Sequence, residues 1–185
     1  MTELPPTGND CGTCTVCCLA LQINEFDKPA GTMCQHCTGT GCGIYETRYD
    51  VCKGFLCGWR LVAALGDAWR PDRSGVLIMT LDAEKLPPEH RAAGNGMHFV
   101  ILGGEKALRR AGFVDYICTL VSRNVAVYMS ADTPKTHINK FLVQQVAMKD
   151  KAAVLKMLVH IYRKMVELRE MDGLKPLPWV KLSTM

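Results

Sequence analysis

The chain reads as an α+β protein, a cysteine-rich, metal-stapled loop segment packed on a small sheet of about three strands covered by helices. Three observations predict this. Nine of the ten cysteines fall within residues 11–57, a stretch rich in glycine and poor in apolar periodicity. After residue 58, short strand-like runs interleave with runs whose apolar residues recur at helical spacing. No Pro/Ser-rich linker separates the two parts. Residues 1–58 are therefore expected to form a cysteine-cluster segment, and residues 59–185 an α+β body packed against it.

Taken in order, "LALQINEF" (19–26) could form a short strand within the first part. "GWRLVAALGDAW" (58–69) spaces Leu61, Val62, Leu65 and Trp69 as a short helix would, ending before Pro71. "VLIMTLD" (76–82), "MHFVILGG" (97–104) and "NVAVYMS" (124–130) are the three strand candidates. Between the last two, residues 105–123 place Leu108, Ala111, Val114, Ile117 and Val121 on one helical face. Cys118 follows Ile117 on that stretch and is expected as a buried thiol bound to no metal. Residues 131–148 and 150–173 read as two further helices, the second with Asp150 as N-cap and Gly173 as its stop.

Composition narrows the function classes. Of 185 residues, 48% are hydrophobic, and no run approaches the roughly 18 to 20 apolar residues of a membrane span. "MTELPPTGND" has neither a basic nor an apolar region, so it does not read as a secretory signal and the cytoplasm is the expected compartment. Thiols stay reduced there. An odd count of nine, with Cys17 next to Cys18, also argues against a disulfide framework. The net charge of +4 is uneven: residues 1–57 hold three Lys/Arg against six Asp/Glu, a net of −3, and the remainder carries +7. That density over 128 residues is no nucleic-acid signature. No serine lies in a nucleophile-elbow context.

What the nine cysteines share is metal-ligand spacing. Two residues between cysteines let both sulfurs turn toward one ion, and thiolates suit zinc, iron–sulfur clusters and cuprous copper. Cys11, Cys14 and Cys17 offer three sulfurs at this spacing, Cys34 and Cys37 a pair, and Cys18, Cys42, Cys52 and Cys57 single thiols. His36 could substitute for one sulfur. Three Cys-Gly steps, at Gly12, Gly43 and Gly58, offer turns in which a following N–H can point at the sulfur. Eight or nine ligands suit about two zinc ions. Cys-x2-Cys-x2-Cys equally matches the first three ligands of the bacterial ferredoxin run. Spacing therefore leaves zinc or iron, the latter including an iron–sulfur cluster.

"CGTCTVCC" followed by "CQHC", "GCGIYETR" and "VCKGFLCGW" resembles the YkgJ-type cysteine-cluster proteins, the CxxCxxCC zinc/iron-chelating family. The resemblance spans residues 11–60. It implies metal ligands at Cys11, Cys14, Cys17, Cys18, Cys42 and Cys52, while Cys34, Cys37 and Cys57 correspond less uniformly. Relatives commonly read Arg-Pro where this chain has Arg48-Tyr49, a departure at the local turn. A metal-binding protein is thus the leading expectation. An iron or iron–sulfur enzyme modifying a protein or peptide is the alternative, and a metal-organised interaction module the third. A metal ion is the expected partner, a protein partner stays open, and neither membrane nor nucleic acid is expected.

Overall fold

The computed structural model describes residues 8–131 and 135–171. Its helices are α1 (Val16–Ala20), α2 (Asp50–Gly54), α3 (Gly58–Leu61), α4 (Pro71–Ser74), α5 (Pro88–Arg91), α6 (Gly104–Leu108), α7 (Phe113–Ser122), α8 (Asn139–Ala147) and α9 (Lys151–Met171). Its strands are β1 (Val76–Leu81), β2 (Gly96–Ile101), β3 (Val127–Ser130) and β4 (Thr136–His137). They form one sheet in the order β1-β2-β3-β4. β1 and β2 are antiparallel, with Val76 opposite Ile101 and Leu81 opposite Gly96. β2 and β3 run parallel, which requires a crossover, and α6 with α7 supplies it. β4 adds antiparallel to β3. The architecture is mixed α+β with a four-stranded sheet, one short strand more than the sequence suggests. No helix among the described residues is long and apolar enough to cross a membrane.

Alternation along the strands gives the sheet two faces. Ile78, Phe99 and Met129 share one face by register. Phe99 meets Phe113 of α7 at 5.8 Å and Tyr116 at 6.1 Å between ring centroids. Trp69 closes the same aromatic cluster, 5.2 Å from Tyr116. Val154 and Leu158 of α9 are completely buried in this core. Leu77, Met79, His98 and Tyr128 lie on the opposite face. Val16, Leu19, Cys57 and Trp59 from the first part join the same buried cluster as the strand residues. Gly58 is where the two parts come closest: a Cβ there would lie 2.5 Å from Cγ2 of Ile78, so only glycine lets α3 approach β1.

Several local expectations change. Residues 19–26 form no strand; α1 ends at Ala20 and the chain turns through a bridge between Ile23 and Lys28. The helix expected over 58–69 stops at Leu61, because Val62 is extended and Trp59 turns its Nε1–H onto the Gly66 carbonyl at 3.2 Å. The helix expected over 105–123 is two helices, broken at Gly112, whose φ of 80° is left-handed. Within 131–148, Thr136 and His137 pair with β3 before α8 begins. Asn139 secures that corner, accepting from Val127 N–H at 2.7 Å and donating to Val125 C=O at 2.8 Å. Asp150 does cap α9, its Oδ1 accepting from Ala153 N–H at 2.9 Å. Gly173 lies outside the described residues. Cys118 is half-buried on the flank of α7, not enclosed in the core, since the most buried positions of that helix are Phe113 and Ile117.

Candidate metal centre

The first part is built from turns that begin at cysteines. Cys14 N–H donates to Cys11 C=O at 2.9 Å, Cys37 N–H to Cys34 C=O at 3.0 Å, Tyr45 N–H to Cys42 C=O at 3.2 Å, and Arg60 N–H to Cys57 C=O at 2.8 Å. Each is a three-residue step that folds the chain back around its sulfur. The backbone N–H groups of Arg60 and Trp59 favour the charged form of Cys57, and those of Val16 and Asp72 the charged form of Cys14. This is the arrangement expected of turns that serve a thiolate. Only one of the three Cys-Gly glycines uses a left-handed backbone, Gly12 at φ 51°.

These turns surround a cavity of about 580 Å³, lined by Cys11, Cys14, Cys17, Cys18, Cys34, Cys42, Cys52 and Cys57. Leu77 and Met79 of the sheet also line it. Cys37 is absent from the lining, but it bridges Cys42 through the backbone and its charge acts on Cys18. All ten cysteines are free of disulfides. The thiols share a cavity wall without closing on one point: among the described residues, no three His, Cys, Asp or Glu side chains stand grouped so as to hold an ion. The donor chemistry fits a soft ion.

Electrostatics divides the thiols. The Cys18 side chain donates to Cys17, which brings Cys17 down to about 7 and holds Cys18 well above the usual thiol range. Of the two neighbours, Cys17 is thus the one that gives up its proton first. Burial pushes Cys14 up to about 12 and also raises Cys11, Cys52 and Cys57. Deprotonating several thiols together requires counter-charge, which a metal dication supplies.

The sequence reading missed the cations. Lys28 is only 5% exposed. Its ammonium donates to the carbonyls of Leu19 at 3.4 Å, Pro29 at 3.2 Å, and Leu21. Burial lowers its pKa, and Cys34 and Cys18 oppose that shift. Arg48 sits over the Tyr45 ring, 3.7 Å from its centroid, and favours the charged form of Cys17. Arg60 does the same for Cys11 and donates from Nε to Asn9 C=O at 2.9 Å. Lys28 and Arg48, two of the three Lys/Arg in the acidic segment, were the available signal, yet spacing says nothing of their burial. His36, an open ligand candidate, lies in an aromatic wall with Phe26 at 5.8 Å and Tyr49 at 5.9 Å. His90, His98 and His137 line no part of the cavity. His90 and His137 meet at 4.9 Å, and His98 Nε2 lies 2.9 Å from Ser130 Oγ.

Comparison of the chain with protein-family profiles, curated proteins and solved structures found no match.

Proposed function

We propose that this protein binds metal, holding zinc (about two ions) or iron, including as an iron–sulfur cluster, through the thiols of its first part. One observation carries the reading: eight cysteines spread over residues 11–57 line a single cavity. Soft donors gathered on one cavity wall, with backbone N–H groups that favour their charged forms, suit thiolate-bound ions. Cys11, Cys14, Cys17, Cys18, Cys34, Cys42, Cys52 and Cys57 are the proposed ligand set, with Cys37 beside them. The ordered cysteine motifs support placing the chain with the YkgJ-type proteins, and free thiols suit the cytoplasm.

Protein purified without oxygen tests this. Colourless protein with about two zinc per chain supports a zinc site, and brown protein with acid-labile sulfide an iron–sulfur cluster. Protein that takes up neither metal after reconstitution would remove the proposal. The second reading, an iron-dependent enzyme acting on a protein or peptide, is favoured by a cavity wall that includes the exposed Tyr45 and Val51. Iron content with oxidant- or reductant-dependent turnover on a peptide would establish it.

A further inference from the structure

We propose that the cysteine-lined cavity also binds a small organic anion, its carboxylate or phosphate head on Arg48 and its apolar body against the aromatic wall. This goes beyond metal binding and rests on it in one respect: metal-bound thiols would form one wall of the pocket.

Size is the first argument. Small-molecule sites commonly enclose about 300 to 1,000 Å³, and this cavity holds about 580 Å³. A zinc ion with sulfur bonds of about 2.3 Å occupies only the space between its own ligands. Ions therefore account for the thiol wall but not for the volume running from Leu77, 1% exposed on the sheet, to Tyr45 and Val51, 39% and 43% exposed.

The second argument is Arg48. Its Nε is buried and has no hydrogen-bond partner. An orphaned Nε–H is costly, and a guanidinium meets carboxylate or phosphate through paired donors. Stacking on Tyr45 fixes the plane of the group.

Wall composition agrees. Although residues 1–57 hold six Asp/Glu against three Lys/Arg, the cavity lining contains two arginines, Arg48 and Arg60, and no carboxylate among the described residues. Lys28 is already committed to backbone carbonyls. Phe26 and Tyr49, 4.8 Å apart, form with Phe55 and Trp59 a surface for a ring or hydrocarbon body.

The opposing possibility is that Arg48 serves only as counter-charge to the Cys17 thiolate. Calorimetric titration of the metal-loaded full chain with benzoate, phenyl phosphate and the neutral benzyl alcohol separates the two. At least one anion should bind about tenfold or more tighter than the alcohol, and Arg48→Gln should remove that advantage in the fraction that is metal-loaded. Loss of metal in Arg48→Gln, with undiminished anion affinity in the fraction that stays loaded, would overturn the proposal. If that variant does not fold, amide shifts in the wild-type protein decide. Anion-selective shifts at Tyr49 and Val51 support the pocket, and their absence rejects it. Anion binding by protein that accepts no zinc or iron would sink the metal reading alone. Loaded protein indifferent to all three probes would sink this one alone.

Discussion

Residues 8–57 and residues 76–171 hold their backbones by different means. In the body, β1 and β2 pair over six residues and α9 runs for 21, so ladders and helices satisfy most polar groups. In the cysteine segment the work falls to single turns at Cys11, Cys34 and Cys42, and to Lys28, whose ammonium caps three carbonyls. Burial differs in the same direction. The largest fully buried side chains all come from the body, among them Phe99, Phe113, Ile117 and Leu158. The cysteine segment buries Val16, Leu19 and Ile23, with Cys34 and Cys57. Ordering a residue costs roughly 1 to 2 kcal/mol in backbone entropy, far more for some fifty residues than so few apolar side chains offset. The difference teaches that the first part is held by local turns, a buried ammonium and its docking on the body through Val16 and Leu19, where the body relies on ladders and its own core.

Removing metal should have the largest effect on this contrast. A structural thiolate site can supply about 10 kcal/mol or more. Treatment with a strong chelator should abolish hydrogen-exchange protection across 8–57, while β2, β3, α7 and α9 keep theirs. Because Val16, Leu19 and Trp59 share the core cluster with Leu77, β1 should loosen next. Equal loss of protection in both parts would show one cooperative unit and break the comparison.

The second test belongs to the body. Burial, with Lys135 adding repulsion, lowers His98 to about 4, and its Nε2 is paired with Ser130. The unfolded chain takes up a proton near pH 6.5, while the folded protein resists until about 4. Stability from this group is therefore complete above about 6.5 and lost as pH falls toward 4, by about 3 kcal/mol at most. Denaturant midpoints measured from pH 7 to 4 should fall more steeply in the wild-type protein than in His98→Gln. Parallel slopes would remove His98 as the cause.

Between the parts stands Gly58, and Gly58→Ala presses a methyl onto Ile78. Overpacking of this kind costs about 1 to 3 kcal/mol. The expected result is a lower thermal midpoint with metal content preserved; an unchanged midpoint would mean that the seam yields freely. Cys118→Ala should have the smallest effect, about 1 kcal/mol or less, with no change in bound metal, since this thiol is half-buried on α7. Loss of metal in that variant would erase the line between the clustered nine and the tenth.

The sequence by itself determined the α+β class, three of the strands and the Asp150 cap. These follow from local rules: alternation, helical spacing and capping chemistry act over a few residues. Only the tertiary structure decided the rest. Gly112 splits one apolar stripe into two helices because its left-handed φ redirects the chain. Thr136 and His137 become a strand because β3 offers an open edge and Asn139 ties the corner. Lys28 and Arg48 acquire their roles only when the turns enclose them, since burial and the meeting of distant charges are properties of the folded chain, not of spacing along it.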